Sequence, residues 1–159
     1  MSPSPSDDSP DLPAAEHARW MHYQHAFTMV PDAGELALVA TVLEDPDQVM
    51  AQSAVVWHID RRAAALLDEP QYSAWAQAMT DAVEGYPFIV QRIREWSLLR
   101  AITLAEPWNP DALLNSSDWL QRKVSQSRTS PQALTILAEA GRTRRVRNVA
   151  KQNLNTKNK

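Results

Sequence analysis

A chain of 159 residues with 3 Gly, no Cys, 22% charged residues and a formal net charge of −3 is long enough for one domain that buries about two-thirds of the surface its unfolded form exposes. The absence of Cys excludes disulfide frameworks, thiolate metal sites, iron–sulfur ligation and thiol nucleophiles. Scarce Gly, with Ala, Leu, Gln, Glu and Arg dominating the middle of the chain, favours an all-α protein over a sheet, which would draw on more Val, Ile, Thr and turn glycines.

Residues 1–13, MSPSPSDDSPDLP, offer almost nothing to bury, so a disordered tail is expected there. The segment has no basic start and no apolar run of the kind a secretory signal needs. No stretch approaches the roughly 18 apolar residues of a membrane span. The expectation is a soluble, cytoplasmic protein of bacterial type, with one helical domain over 14–155 and a frayed basic tail at 156–159.

From Ala14 onward the pattern is helical, and Trp20, Tyr23, Ala26 and Phe27 recur at the three- and four-residue steps of one buried stripe. The apolar periodicity predicts helices over 14–30, 33–43, 46–67, 71–84, 87–105, 117–126, 131–140 and 144–155. Asp45–Pro46, Asn109–Pro110 and Ser130–Pro131 each place an N-cap acceptor before a residue suited to the first helical position. Gly85 and Gly141 follow helical patterns, where a left-handed C-cap is expected. The segment after Pro87 is apolar over most of its circumference, with Ile89, Ile93, Trp96, Leu99 and Ile102 as its main line, and is expected to be the central helix. Short connections imply antiparallel neighbours.

Aligning LQRKVSQSRTSPQALTILAEAG with VRNVAKQNLNTKNK sets Leu120 over Val146, Gln121 over Arg147 and Val124 over Ala150, a spacing of 26 residues. An apolar–polar–x–x–small helix, then Ser–Pro, then Ala133, Leu134, Leu137 and Ala138, then a Gly-containing turn into the next copy, reads as an α-solenoid unit. The segment from about Asp111 to Leu154 resembles a variant leucine-rich repeat of the HEAT and armadillo-like class. The residues that carry the likeness are Trp119, Leu120, Arg122, Val124, Ser130, Pro131, Leu134, Leu137, Ala138, Val146, Arg147, Val149 and Ala150. ELALVATVLEDPDQVMAQSAVVWHI similarly resembles a HEAT hairpin. The resemblance implies antiparallel helix pairs stacked as a short, HEAT/armadillo-like right-handed α-solenoid. Some variant-repeat proteins hold an iron–sulfur cluster on cysteines, which this chain lacks, so no cofactor is expected.

Trp20, Trp57, Trp75, Trp96 and Trp119 fall one per predicted helix, and core packing at helix crossings accounts for them. Trp108, in the Glu106–Pro107–Trp108–Asn109–Pro110 loop, is the candidate exposed aromatic anchor. His22 and His25 share a helix face, but no further ligands stand at metal spacing and there is no HExxH, so no metal is expected. No GxSxG or phosphate-cradling glycine loop occurs, and no catalytic residue is assigned. Asp118 beside Trp119 resembles the acid and tryptophan of helical-repeat DNA glycosylases; its simpler role is an acid in the first turn of a helix.

The net charge hides a split. Met1 to Trp119 carries six Arg against eighteen acids, whereas Leu120 to Lys159 carries ten Lys or Arg against Glu139 alone. Arg142, Arg144, Arg145 and Arg147 crowd into six positions, Lys151 follows one turn after Arg147, and Arg122, Lys123 and Arg128 lie one repeat earlier. Stacked repeats would bring these cations to one basic face. The expected function is therefore a non-enzymatic interaction module, a scaffold or adaptor whose basic C-terminal face meets an acidic protein partner or a second copy of the chain. The alternative is sequence-independent DNA or RNA binding by the same cations through phosphate contacts, and a glycosylase-like enzyme is the distant third reading.

Overall fold

A computed structural model describes residues 12–157, and every regular element among them is helical. The chain divides into two compact units, up to Arg61 and from Arg62, and the boundary falls inside one long helix. Residues 1–11 of the expected tail, and 158–159 at the other end, lie outside the described residues.

The first unit holds α1 (Leu12–Met29), a 3-10 turn (Asp32–Gly34), α2 (Glu35–Leu43) and α3 (Gln48–Leu66) as far as Arg61. Its core gathers Phe27 of α1, Val39, Val42 and Leu43 of α2, and Ala51, Ala54, Val55 and Ile59 of α3. One polar group is built into that core. The His58 imidazole stacks on Phe27, with ring centroids 4.3 Å apart and planes 14° off parallel, and its Nε2–H donates to Glu35 Oε2 at 2.7 Å. Arg61 Nη2 lies 3.5 Å from the other ring nitrogen and donates to the Phe27 carbonyl oxygen at 3.0 Å. A buried imidazole needs its nitrogens engaged, and here Glu35 of α2 takes one while Arg61, one turn along α3, lies beside the other.

Asp45 does not cap α3 as expected. Its Oδ1 accepts from the Asp47 amide at 2.9 Å, and Asp47 Oδ1 accepts from the Met50 amide at 3.2 Å, so the cap is Asp47 and the helix starts at Gln48. Asp45 is instead held in the turn, accepting from the Tyr23 hydroxyl at 2.6 Å with Arg19 Nη1 at 3.4 Å. The Tyr23 hydroxyl, the Asp47 amide and the Arg19 charge hold its carboxyl below the ordinary carboxylate range. The same bond to Asp45 raises the Tyr23 phenol above its usual value.

The second unit continues from the end of α3 through α4 (Tyr72–Ala82), α5 (Pro87–Thr103), α6 (Pro110–Leu114), α7 (Asp118–Gln126), α8 (Pro131–Ala140) and α9 (Arg144–Lys157). The five residues predicted as the main line of α5 are all buried, but Phe88, Gln91, Arg94 and Ser97, at three-residue steps, form an exposed face. α6 is absent from the helices predicted above. Its five residues are too few for periodicity to register, although its cap was visible: Asn109 accepts from the Asp111 amide at 2.9 Å, as Ser130 does from Ala133 at 3.2 Å at the start of α8.

The last four helices form two stacked pairs. α6 packs on α8, α7 packs on α9, and α8 runs against both α7 and α9. The 26-residue spacing is physical: α7 begins at Asp118 and α9 at Arg144. Ser117 caps the first through the Leu120 amide, and Thr143 caps the second through the Val146 amide. Leu120 and Val124 are buried, as are their equivalents Val146 and Ala150.

Neither Gly85 nor Gly141 adopts the left-handed conformation expected of a C-cap. Gly141 has φ −55° and ψ 147°, and it is required for space: a Cβ there would stand 2.6 Å from the Leu137 carbonyl oxygen and 2.8 Å from Val146 Cγ1. The left-handed residue after α5 is Ala105, with φ 55°. The tryptophans also differ from expectation. Trp96 alone is fully buried; Trp20, Trp57, Trp75 and Trp119 are half-buried, because a ring that large at a helix crossing reaches the surface, and Trp108, expected to be exposed, is half-buried in the loop between α5 and α6.

Candidate functional site

α9 turns its buried stripe, Val146 and Ala150 with Asn153, toward α7 and α8, and Asn153 Nδ2 donates to the Ser125 carbonyl at 2.6 Å. At 100° per residue, Arg144 and Lys151 stand on the opposite side, with Arg145 on one flank and Arg147 on the other. Arg144, Arg145 and Lys151 are exposed, and no carboxylate pairs with them among the described residues. Arg142 is exposed at the entrance to the helix, while its backbone amide donates to Gln121 Oε1 at 2.7 Å.

The other cations are differently employed. Arg147 is half-buried and donates from Nη1 to the Gly141 carbonyl at 2.8 Å, which ties α9 to the end of α8. Arg122 Nε lies 3.2 Å from Asp118 Oδ2 one turn earlier. Lys123 Nζ sits 5.2 Å from the Trp96 ring and 5.7 Å from the Trp119 ring. Arg128 is exposed in the turn between α7 and α8, at the far end of α7 from Arg142. The structure therefore places Arg142, Arg144, Arg145 and Lys151 on α9 and its entrance, with Arg144 and Lys151 on one side of the helix and Arg145 on its flank; Arg122 and Lys123 lie on the neighbouring helix, and Arg128 stands apart.

The position of Arg144 and Arg145 runs against helix electrostatics. They occupy the first turn of α9, which holds no acid, where the macrodipole already presents a partial positive charge. Cations there cost helix stability and sum with the exposed amides into a local positive field.

A second feature adjoins α7. The Trp119 ring carries the Arg92 guanidinium 3.5 Å from its centroid and meets Trp96 edge-on, with centroids 5.4 Å apart. Phe88, Gln91, Arg92, Glu95, Ser117 and Trp119 enclose a cavity of about 190 Å³. Glu95 is buried at its base and accepts from the Ser117 amide at 2.9 Å, from the Ser117 hydroxyl, and from Gln91 Nε2 at 3.2 Å. No sequence signal paired Arg92 with Trp119; the exposed line of α5 that includes Phe88 was the trace it left.

A cavity of about 380 Å³ between α4 and α5 is lined in part by groups that already hold hydrogen bonds or an ion pair. Tyr72 and Ser97 share a hydrogen bond of 3.0 Å, and Arg100 reaches the Leu67 and Glu69 carbonyls and Glu106. Burial pushes the Tyr72 phenol up. In the first unit, His17, His22 and His25 are exposed, and no group of three or more His, Asp or Glu side chains converges as a metal site among the described residues. Nor is any described helix long and apolar enough to cross a membrane. No protein-family model, curated protein or solved structure matches the chain.

Proposed function

We propose that the chain is a non-enzymatic helical-repeat interaction module, of the variant leucine-rich and HEAT-like class with right-handed stacking, whose basic surface at the start of α9 docks an acidic segment of a protein partner. One observation carries this reading: Arg144 and Arg145 sit in the first helical turn, where they weaken the helix, and have no carboxylate partner among the described residues. Residues that oppose local stability are the expected mark of a functional surface.

The cations that face solvent on α9 and its entrance are Arg142, Arg144, Arg145 and Lys151; Arg122 pairs with Asp118, Arg147 is spent on Gly141, and Lys123 stands beside the Trp96 and Trp119 rings. So short a set suits a few carboxylates better than a continuous phosphate track. Nucleic acid is the competing reading, since an Arg fork accepts phosphate as readily as carboxylate.

Fluorescence anisotropy separates them. A labelled Asp/Glu-rich peptide and a random duplex are titrated with the full chain and with an Arg142/Arg144/Arg145/Lys151→Ala variant between about 50 and 200 mM salt, where several phosphate contacts would show as a steep slope. Peptide binding lost in the variant supports the proposal. Tight, salt-steep duplex binding with no peptide binding replaces it with the nucleic-acid reading.

A further inference from the structure

We infer that the Phe88–Trp119 cavity receives an aromatic side chain of the same acidic partner, so that the basic surface attracts the segment and this cavity fixes it; the inference rests on the function proposed above.

The walls are aromatic. Phe88, at the second position of α5, is 63% exposed. A single exposed apolar ring is ordinary on a protein surface; one that forms a concave site with a half-buried Trp is a candidate anchor pocket. Trp119 is fixed before any ligand arrives, by Arg92 stacked on its face and Trp96 against its edge. A wall that does not have to be ordered on binding saves the entropy of ordering it.

The polar groups select among occupants. Glu95 would suggest a cationic ligand, but three donors from Ser117 and Gln91 already engage it. The face of Trp119 is already covered by the protein's own Arg92, and Lys123 lies 5.7 Å from the same ring, so an incoming ammonium or guanidinium finds the cation position over that ring taken. A neutral aromatic ring is compatible with the walls, and its flanking acids are compatible with Arg92 and Lys123. A cavity of about 190 Å³ has room for a side chain rather than a peptide segment.

Continuity with the basic surface comes through α7. Trp119 and Lys123 are one turn apart on that helix, and α7 packs directly on α9. A segment that crosses from α9 to α7 meets charge first and the aromatic site next. Charge alone would give fast but salt-sensitive association, and a desolvated aromatic anchor supplies the part of the affinity that salt does not screen.

The test compares three labelled peptides on the full chain: a Glu-rich peptide with one central Trp, the same peptide with Ala in its place, and a Lys-rich peptide with the Trp. Each is titrated against the wild type, Phe88→Ala and Phe88→Tyr; Phe88 is exposed, so neither change threatens folding. The Trp-containing acidic peptide is expected to bind about tenfold more tightly than its Ala counterpart, the effect of one modest anchor. That preference should survive in Phe88→Tyr and vanish in Phe88→Ala, with affinity for the Ala peptide unchanged. Equal binding of the two acidic peptides to the wild type, or a preference that persists in Phe88→Ala, overturns this inference and leaves the basic surface standing. Failure of both acidic peptides to bind at low salt overturns the two together, and tighter binding of the Lys-rich peptide overturns the assigned charge. Phe88-dependent binding of a single-stranded oligonucleotide in place of the peptides assigns the cavity to a nucleobase and also overturns it.

Discussion

Gln121 and Arg147 stand 26 residues apart and perform the same task in successive helix pairs: each sends its side chain back to the carbonyl end of the helix before its own. Gln121 Nε2 donates to the Leu113 and Leu114 carbonyls at the end of α6, at 3.0 and 3.2 Å, and Arg147 Nη1 donates to Gly141 at the end of α8. The last turn of a helix leaves carbonyls without intrahelical donors, and in both pairs one side chain of the following helix helps to satisfy them; the Leu113 carbonyl also accepts from the Ser116 amide and hydroxyl.

Gln121 is wholly buried and also accepts from the Arg142 amide, so it engages three backbone groups. Gln121→Leu keeps the volume and removes all three bonds. The Leu113 carbonyl keeps its Ser116 donors, whereas the Leu114 carbonyl and the Arg142 amide lose the Gln121 partner, and each buried polar group left unsatisfied costs about 1–3 kcal/mol. Denaturant unfolding should show a loss of several kcal/mol, far more than Arg122→Leu on the exposed side of the same helix.

The glycines should respond in opposite directions. Gly141→Ala forces a Cβ against the Leu137 carbonyl and Val146, and overpacking of that kind costs about 1–3 kcal/mol. Gly85 has nothing within 4 Å of the added carbon and no positive φ, so Gly85→Ala should stabilise by about 0.4–1 kcal/mol through the unfolded chain. Ala105→Gly should also stabilise, because the left-handed φ of 55° burdens a residue with a Cβ. Thermal melts of the three variants read all three signs.

Acid sensitivity should trace to Asp45. Its folded-state carboxyl titrates below the unfolded value, so its contribution is fully present above the ordinary carboxylate pKa of about 3.9 and is lost as pH falls through the lower folded value. Stability measured from about pH 5 downward should therefore fall more steeply in the wild type than in Asp45→Asn, the difference developing below about pH 4. Tyr23→Phe, which removes the main donor that stabilises the Asp45 carboxylate, should shrink that difference.

His58→Ala removes the ring stacked on Phe27 and leaves the buried Glu35 carboxylate without its imidazole partner. Breaking a buried pair from one side costs about 3–5 kcal/mol. Calorimetry should register a lowered melting temperature, and an unchanged one would show that the pair contributes nothing net.

What the sequence made legible was local or periodic. The Asn109 and Ser130 caps act within three residues of themselves, and the apolar line of α5 follows one helical period, so both could be read without tertiary information. The 26-residue alignment was readable because equivalent residues do equivalent work. Asp45 misled because a cap-like Asp before Pro also satisfies a turn, and its partner Tyr23 lies on another helix. The Arg92–Trp119 stack joins residues 27 positions apart on two helices, and the concavity at Phe88 exists only once α5 and α7 are packed. Charge density located the basic region, but only the structure divides its cations into those spent on Asp118 and Gly141 and those facing solvent.

If Arg144 and Arg145 serve a partner at the expense of their own helix, the deciding experiment is the acidic-peptide affinity of the Arg144→Glu/Arg145→Glu chain, with its melting temperature taken on the same sample. Acids in the first turn of α9 favour the dipole by about 0.3–1 kcal/mol each, so the melting temperature should stay equal or rise while peptide binding is lost. Retained binding, or loss of binding only in parallel with loss of the fold, would contradict it.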